Sequence, residues 1–410
     1  MRRTVVVLML VLAAAVAGCH RKEALRHYGT GYLAYENGAL DDALREFEAA
    51  TQLDQTLAIA YVSQGDVLRE QGQLEQAITP YQAAIRLAPL EYAYHYRLGR
   101  VYQALERDKD AALTYEQTVD LNPDYAPAWI NLGVVYFRLG DLAKARTDCE
   151  KAVQLAPDHS YAWSNLGAVY DVLGDPYRAI SAYQKSLSLD SNQAPVHINL
   201  GTAYLKQGRL DKALEEFKLA ASIDPGAPVV RKRLASVYSK QKKYGAAIEQ
   251  LQATLAIDPK DSESRNSLAA IYMIFYLRHP GTDRLRLAAL EEWHESLQAN
   301  PDQSQIKPLI ARWGKPLPVP DLSAGQAEPE AGGPLPPEIE AVLPPSKGAA
   351  AQPPAPEVEP MTVPDPKPPV PEVEPKPTPE PEPPAPASDP KPPEAAGDPK
   401  PPAPWRIDLP

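Results

Sequence analysis

Residues Ala126–His159 read APAWINLGVVYFRLGDLAKARTDCEKAVQLAPDH, and Ser160–Gln193 read SYAWSNLGAVYDVLGDPYRAISAYQKSLSLDSNQ. The two stretches align without a gap: Trp129 over Trp163, Asn131 over Asn165, Gly133 over Gly167, Tyr136 over Tyr170, Ala145 over Ala179. A fixed period of this kind marks a stack of supersecondary units rather than one globular core. Extending it both ways, Pro89, Pro123, Pro157, Pro225 and Pro259 keep a spacing of 34, with Ser191 at the missing step. The units are then Ala24–Leu57, Ala58–Glu91, Tyr92–Tyr125, Ala126–His159, Ser160–Gln193, Ala194–Ala227 and Pro228–Asp261, and an eighth runs from Ser262 to about Pro301.

Inside each unit the residue types are positional. The eighth position is small: Gly31, Gly65, Gly99, Gly133, Gly167, Gly201, Ala235, Ala269. The twentieth is alanine from Ala43 to Ala247, the eleventh is mostly tyrosine, and the twenty-fourth is large or apolar. Two helices, A and B, joined by a turn near Gly140 and its equivalents, satisfy this pattern. Small residues at positions 8 and 20 let the axes approach closely, and aromatics at 11 and 24 are expected to fill space toward the next unit. Proline at 32 ends helix B. No unit buries its apolar face alone, so stability comes from stacking neighbours.

The pattern resembles the tetratricopeptide repeat (TPR), and Trp129 to Tyr136 and Trp163 to Tyr170 match it almost fully. The resemblance covers about 24–301 and implies an all-α, right-handed superhelix of about eight helix-turn-helix repeats. The eighth unit is eight residues too long, and the surplus lies within 273–288. It is read either as a partner-binding protrusion or as a lengthened helix A that packs on a cap. Ile306, Leu309, Ile310 and Trp313 have amphipathic helical spacing before Gly314, so 302–314 is expected to be that capping helix.

Both ends differ from this body. Residues 1–18 join a basic start, Arg2-Arg3, to an apolar run from Val5 to Ala17. Thirteen residues of helix span about 20 Å, short of a bilayer core, so the segment reads as a signal peptide. Val16-Ala17-Gly18-Cys19 resembles the lipobox of bacterial lipoproteins, which implies lipidation of Cys19, fatty acylation included, after cleavage, with 19–23 as a short linker. Cleavage after Ala17 to release a soluble periplasmic protein is the alternative. By resemblance, His20 in place of aspartate leans toward the outer membrane.

The other end, 315–410, holds 33 of the 46 prolines and 16 acidic against 7 basic residues, which is −9 of the chain's −11. Asp-Pro-Lys-Pro-Pro occurs three times there and Pro-Glu-Val-Glu-Pro twice. Such composition buries no core, so a disordered tail is expected. It resembles periplasm-spanning spacers, a passive linker being the other reading.

The nearly neutral body offers no footprint for nucleic acid. Gly29-Thr-Gly31-Tyr-Leu-Ala34 fits a loose dinucleotide fingerprint, but no strand precedes it and Gly31 already serves as position 8. His294-Glu295 lacks the second histidine of a zinc motif, and His95 and His197 sit where Trp129 and Trp163 stand in other units, as packing residues. Cys149 fills an aromatic core slot, as an inert buried thiol. No nucleophile, base or metal set emerges. The chain therefore reads as a non-enzyme with no cofactor and no small-molecule substrate. An enzyme with a helical cofactor pocket is the remote alternative.

The concave wall of a TPR array is made by helix A positions 2, 5, 6, 9 and 12. Asn131, Asn165 and Asn199 fall on position 6 of successive units, which resembles the asparagine ladder of TPR-bearing glycosyltransferases that holds peptide backbone. A primary amide both donates and accepts, as a peptide group requires. Tyr28, Tyr32 and Tyr35 occupy positions 5, 9 and 12 of the first unit, and Tyr96, Arg97 and Arg100 lie on the same wall two units later. Tyrosine and arginine are frequent interface anchors. The clamp that holds a C-terminal carboxylate in chaperone-binding TPR domains is reproduced only at Asn199 and Arg233. The expected function is an envelope-anchored scaffold that binds other envelope proteins, resembling the TPR pilotins of type IV pilus and secretin systems. Adaptors of peptidoglycan hydrolases or of gliding-motility complexes are similar alternatives.

Overall fold

The computed structural model describes residues 20–279, 282–315 and Ile339. Every element among them is a helix. The first, α1, covers 20–36. It is followed by α2 (Leu40–Leu53), α3 (Ala58–Glu70), α4 (Leu74–Leu87), α5 (Tyr92–Ala104), α6 (Asp108–Leu121), α7 (Ala126–Arg138) and α8 (Leu142–Leu155). Then come α9 (Ser160–Val172), α10 (Pro176–Leu189), α11 (Ala194–Lys206), α12 (Leu210–Ile223), α13 (Pro228–Lys240), α14 (Tyr244–Ile257), α15 (Ser262–Arg278), α16 (Asp283–Ala299) and α17 (Ile306–Trp313). From α3 onward, the first residue of each repeat unit is also the first residue of its helix A. The leading 19 residues, with Cys19, and all of the Pro-rich segment except Lys315 and Ile339 lie outside the described residues.

Each helix packs on its neighbours in the chain, and α7 with α9, α9 with α11 and α11 with α13 also touch. The A helices thus form one continuous wall. The turn between A and B needs a left-handed residue at position 15, supplied by Gly72, Gly140 and their equivalents, while Glu106 and Lys242 adopt φ 57 and 60° there. Asp141 and Asp175 cap helix B by accepting from the amides of Lys144 and Arg178. The backbone turns extended at position 31 even at Asp54 and Asp190, where no proline follows. Packing of the next unit therefore holds this bend as well as proline does.

One expectation is extended. The position-24 side chain meets the next unit, as Tyr115 does at Asn131 and Cys149 beside Asn165 and Ala168, and it also lies on the position-8 glycine of its own. A Cβ built on Gly65 would meet Tyr81 at 2.7 Å, on Gly99 Tyr115 at 2.6 Å, and on Gly201 Phe217 at 2.7 Å. Glycine is there because an aromatic ring occupies the space that a methyl would need.

Units are joined by the position-11 tyrosines as well. Tyr170 donates to Glu150 on the preceding helix B at 2.9 Å, and Tyr102 and Tyr204 accept from Gln82 and Gln184 at 3.1 and 3.0 Å. Cations of the same unit cover these rings: Arg107 stands 4.7 Å from the Tyr102 centroid and Lys144 4.3 Å from that of Tyr136. A second link runs from position 4 back to the carbonyl at position 32. Trp129 and Trp163 donate to Pro123 and Pro157 at 2.8 and 2.9 Å, and His95 and His197 do the same to Pro89 and Ser191. This is why tryptophan and histidine interchange here: each presents a ring N–H at the required reach.

The eight surplus residues of the last unit form no protrusion. Four lengthen α15 (17 residues against 13 in α13) and three lengthen α16 (17 against 14 in α14), leaving one for the turn between. The added turns seat α17. Tyr276 meets Trp313 edge-on at 6.3 Å, and the buried Arg286 donates to the carbonyls of Trp313 and Gly314. This closes the apolar end that a repeat array would otherwise leave open.

Candidate functional site

The inner wall is built from A helices whose apolar stripe faces helix B, leaving positions 2, 5, 6, 9 and 12 turned away from it. The first three units gather polar side chains around Asp66, at position 9 of α3. Tyr81 donates to it at 2.6 Å, Arg97 bridges to its other oxygen, and Arg69 stands 4.0 Å away. The Asp66 side chain is only 14 % exposed, and this set of partners satisfies a charge that burial would otherwise penalise. Burial is the first influence on the Arg97 guanidinium and opposes its charge, but Asp66 outweighs it and holds its pKa above the ordinary value.

The three N-terminal tyrosines flank this cluster. Tyr28 packs on Phe47 with centroids 5.6 Å apart and bonds the Ser63 side chain. Tyr32 is half-buried, and its bond to Glu36 raises its pKa. Tyr35 is pushed up to about 12, first by burial and then by its bond to Glu70. All three are neutral phenols near neutral pH, able to donate and accept.

Further along, the sequence-predicted residues separate. Tyr96 is 8 % exposed, held edge-on against Tyr125 at 5.0 Å and tilted against Tyr115 at 5.8 Å. It serves packing rather than capture. Asn131 donates to the Tyr96 hydroxyl at 3.2 Å, and Asn199 is 9 % exposed. Asn165 is half-buried and sits beside an apolar notch over Cys149, lined also by Gly133, Val134, Phe137 and Ala168. Of the three amides, Asn165 is therefore the one best placed to meet a ligand. Arg100 is half-buried near Tyr115.

An opening on the wall lies between α13 and α15, with a volume of about 980 Å³. Arg233 lines it with Lys232, Ser236 and Lys240 from α13 and Ser267 and Ile274 from α15. Only Arg233 among these is a sequence-predicted site residue. The others share its wall positions or follow them, but lone serines and lysines carry no motif, so their convergence emerges only when two A helices are set side by side. Asp66 went unnoticed for the same reason, although it holds the wall position of Tyr32 and Arg100. The structure does not gather the sequence-predicted residues into one pocket. It distributes them along the wall, with Tyr28, Tyr35 and Arg97 grouped near Asp66.

Among the described residues no group of three His, Cys, Asp or Glu side chains is placed to hold a metal ion. None of their helices is long and apolar enough to cross a membrane. Cys149 is free and buried, and burial pushes its thiol pKa far up.

A family model described as cilia and flagella-associated protein 70 C-terminal domain matches residues 21–270. No curated protein matches the chain. Among solved structures, the chain is similar to one in the crystal structure of the APC/C hetero-tetramer Cut9–Hcn1, with 19% identity and a TM-score of 0.49. That match covers 67% of this chain and 53% of the other, so this chain spans about half of that protein's length. A MamA crystal structure matches with 27% identity and a TM-score of 0.39, covering 41% of this chain and 92% of that one. PilF of Pseudomonas aeruginosa matches with 22% identity and a TM-score of 0.46, covering 52% and 96%.

Proposed function

Because the chain belongs to the family described as cilia and flagella-associated protein 70 C-terminal domain, here an array of TPR units, we propose that it is an envelope scaffold whose inner wall binds extended segments of partner proteins. TPR arrays are in general non-catalytic interaction scaffolds, and binding of peptides or proteins is their ordinary use. The observation that carries the finer reading is the wall itself: half-buried tyrosine hydroxyls at one end, Asn165 in the middle and the α13–α15 groove at the other. An extended peptide exposes a donor and an acceptor at every residue, and a row of amides and hydroxyls suits it.

The membrane address rests on the lipobox at Val16 to Cys19. Lipidation of Cys19 would hold the array at the periplasmic face of the outer membrane, with an assembly of pilus or secretin type as the machine it serves. Several acyl chains supply the anchoring that one does not.

The test is capture of partners from envelope extract on the full chain, then titration of the recovered partner. Asn165→Ala removes one or two hydrogen bonds and should weaken binding roughly two- to tenfold. Tyr32→Ala removes an aromatic anchor and should cost about thirtyfold. A partner that binds both folded variants as tightly as the parent chain does not use this wall.

A further inference from the structure

Charge is mixed along the array except at one place. From Pro228 to Tyr244, α13 and the turn after it carry Arg231, Lys232, Arg233, Lys240, Lys242 and Lys243 and no acidic residue. Like charges this close together repel, since the screening distance in physiological salt is about 8 Å. Arg231, Lys232 and Arg233 are engaged within the fold. Lys232 reaches Asp261 at 3.2 Å and Glu263 at 2.6 Å, and Arg231 donates to the Pro225 carbonyl. Lys240, Lys242 and Lys243 are exposed, and among the described residues none of the three has an ion-pair partner.

These lysines adjoin the wall. Lys240 lines the groove between α13 and α15 together with Arg233. The two are seven residues apart on one helix, roughly 10 Å along its axis, which about three residues of extended chain span. Lys242 and Lys243 continue the positive charge past the helix end. Ser236, Ser239 and Ser267 add hydroxyls within the groove, Ile271 and Ile274 add apolar surface, and its carboxylates are Asp258 together with Asp261 and Glu263, the latter two held by Lys232.

We infer that this end of the wall takes an extended acidic segment of a partner protein, recognised through side-chain carboxylates. The inference rests on the inner wall being a peptide-binding surface and specifies the ligand chemistry at units seven and eight. Charge complementarity selects this occupant: Lys232 answers Asp261 and Glu263 inside the groove, while Lys240 on its lining and Lys242 and Lys243 just beyond the helix end leave positive charge without an internal partner. A terminal carboxylate is not the recognised group, because the residues that clamp one in other TPR domains are replaced here by Val229, Ser164 and Ala168.

The test uses the full chain and a fluorescein-labelled decapeptide of alternating glutamate and valine, amidated at its C-terminus. Extended, it displays its carboxylates on one face. The controls are the same peptide with glutamine for glutamate and one with a free C-terminus. The variant is Lys240→Glu with Lys242→Glu and Lys243→Glu. Its fold is safeguarded by the repeats themselves: Glu70 stands at the position of Lys240, Glu106 at that of Lys242 with φ 57°, and Asp141 at that of Lys243.

Fluorescence anisotropy should show the glutamate peptide binding at least about tenfold more tightly than the glutamine one in about 50 mM salt, with the gap closing in about 500 mM salt. The lysine variant should lose about tenfold or more, and freeing the C-terminus should change little. Equal binding of the two peptides, or equal binding to parent and variant, overturns the inference. If either occurs while the recovered partner still responds to Asn165→Ala, the inner-wall reading survives and the acidic-segment inference alone falls. If the peptide depends on the lysines while the partner ignores Asn165 and Tyr32, the general wall reading falls.

Discussion

Asp148 offers a quantitative check on how tightly the repeats are packed. It lies on α8, 7 % exposed, with Oδ2 unpartnered among the described residues. Equivalent positions in the neighbouring units hold the buried Thr114 and Ala182, so the site is built for a small neutral side chain. Burial pushes the Asp148 carboxyl from an ordinary 3.8 up to about 7; Lys144 opposes this, and Glu116 and Asp141 add to it. Below about pH 4 both the folded and the unfolded chain hold the proton, and the group is silent. Between pH 4 and 7 the unfolded chain releases it while the native one keeps it, so stability falls as pH rises. Above pH 7 the whole cost is present. At about 1.4 kcal/mol per tenfold change in proton affinity, that cost reaches at most about 4 kcal/mol. Asp148→Asn keeps the shape and removes the charge, and Asp148→Thr installs the residue of the preceding unit. Each should stabilise the array by roughly 2–4 kcal/mol at pH 8 and by almost nothing at pH 4. Urea melts of the full chain followed by circular dichroism measure this directly. An equal gain at both pH values, or a loss at pH 8, would show that the carboxylate is well solvated or paired, and the burial argument would be wrong.

Two other predictions follow from the same geometry and from the N-terminus. Gly99→Ala should destabilise by roughly 1–3 kcal/mol, because its methyl meets the Tyr115 ring. Gly29→Ala, in the same type of helix with nothing within 4 Å, should instead gain roughly 0.5–1 kcal/mol; thermal melts that failed to separate the two would contradict the ring-on-glycine packing. Cys19→Ala should abolish incorporation of radioactive fatty acid and leave the helical content unchanged, since Cys19 lies outside the repeats; equal label in both proteins would remove the lipid anchor from the proposal.

The repeat period carried most of the backbone. A 34-residue recurrence of glycine, tyrosine, alanine and proline is local information, and each helix boundary depends on residues within one turn of it. Hence Ala126, Ser160 and Ala194 begin helices where the period places them, and tryptophan and histidine at position 4 read correctly as structural. What lay beyond the sequence are contacts about one unit apart. Arg97 finds Asp66 and Asn131 finds Tyr96 because successive A helices lie side by side, at a separation and rotation that no single unit encodes. The same angle buries Tyr96 and Asn199 while leaving Asn131 and Asn165 half-buried, although the three amides hold identical positions in their units. It also brings Arg233 and Lys240 beside Ser267. Residue type and period determined which positions face the wall. Only the packing of one unit on the next decided which of those side chains are already engaged and which remain to meet a partner, because that depends on the distances between helices rather than on the order of residues within them.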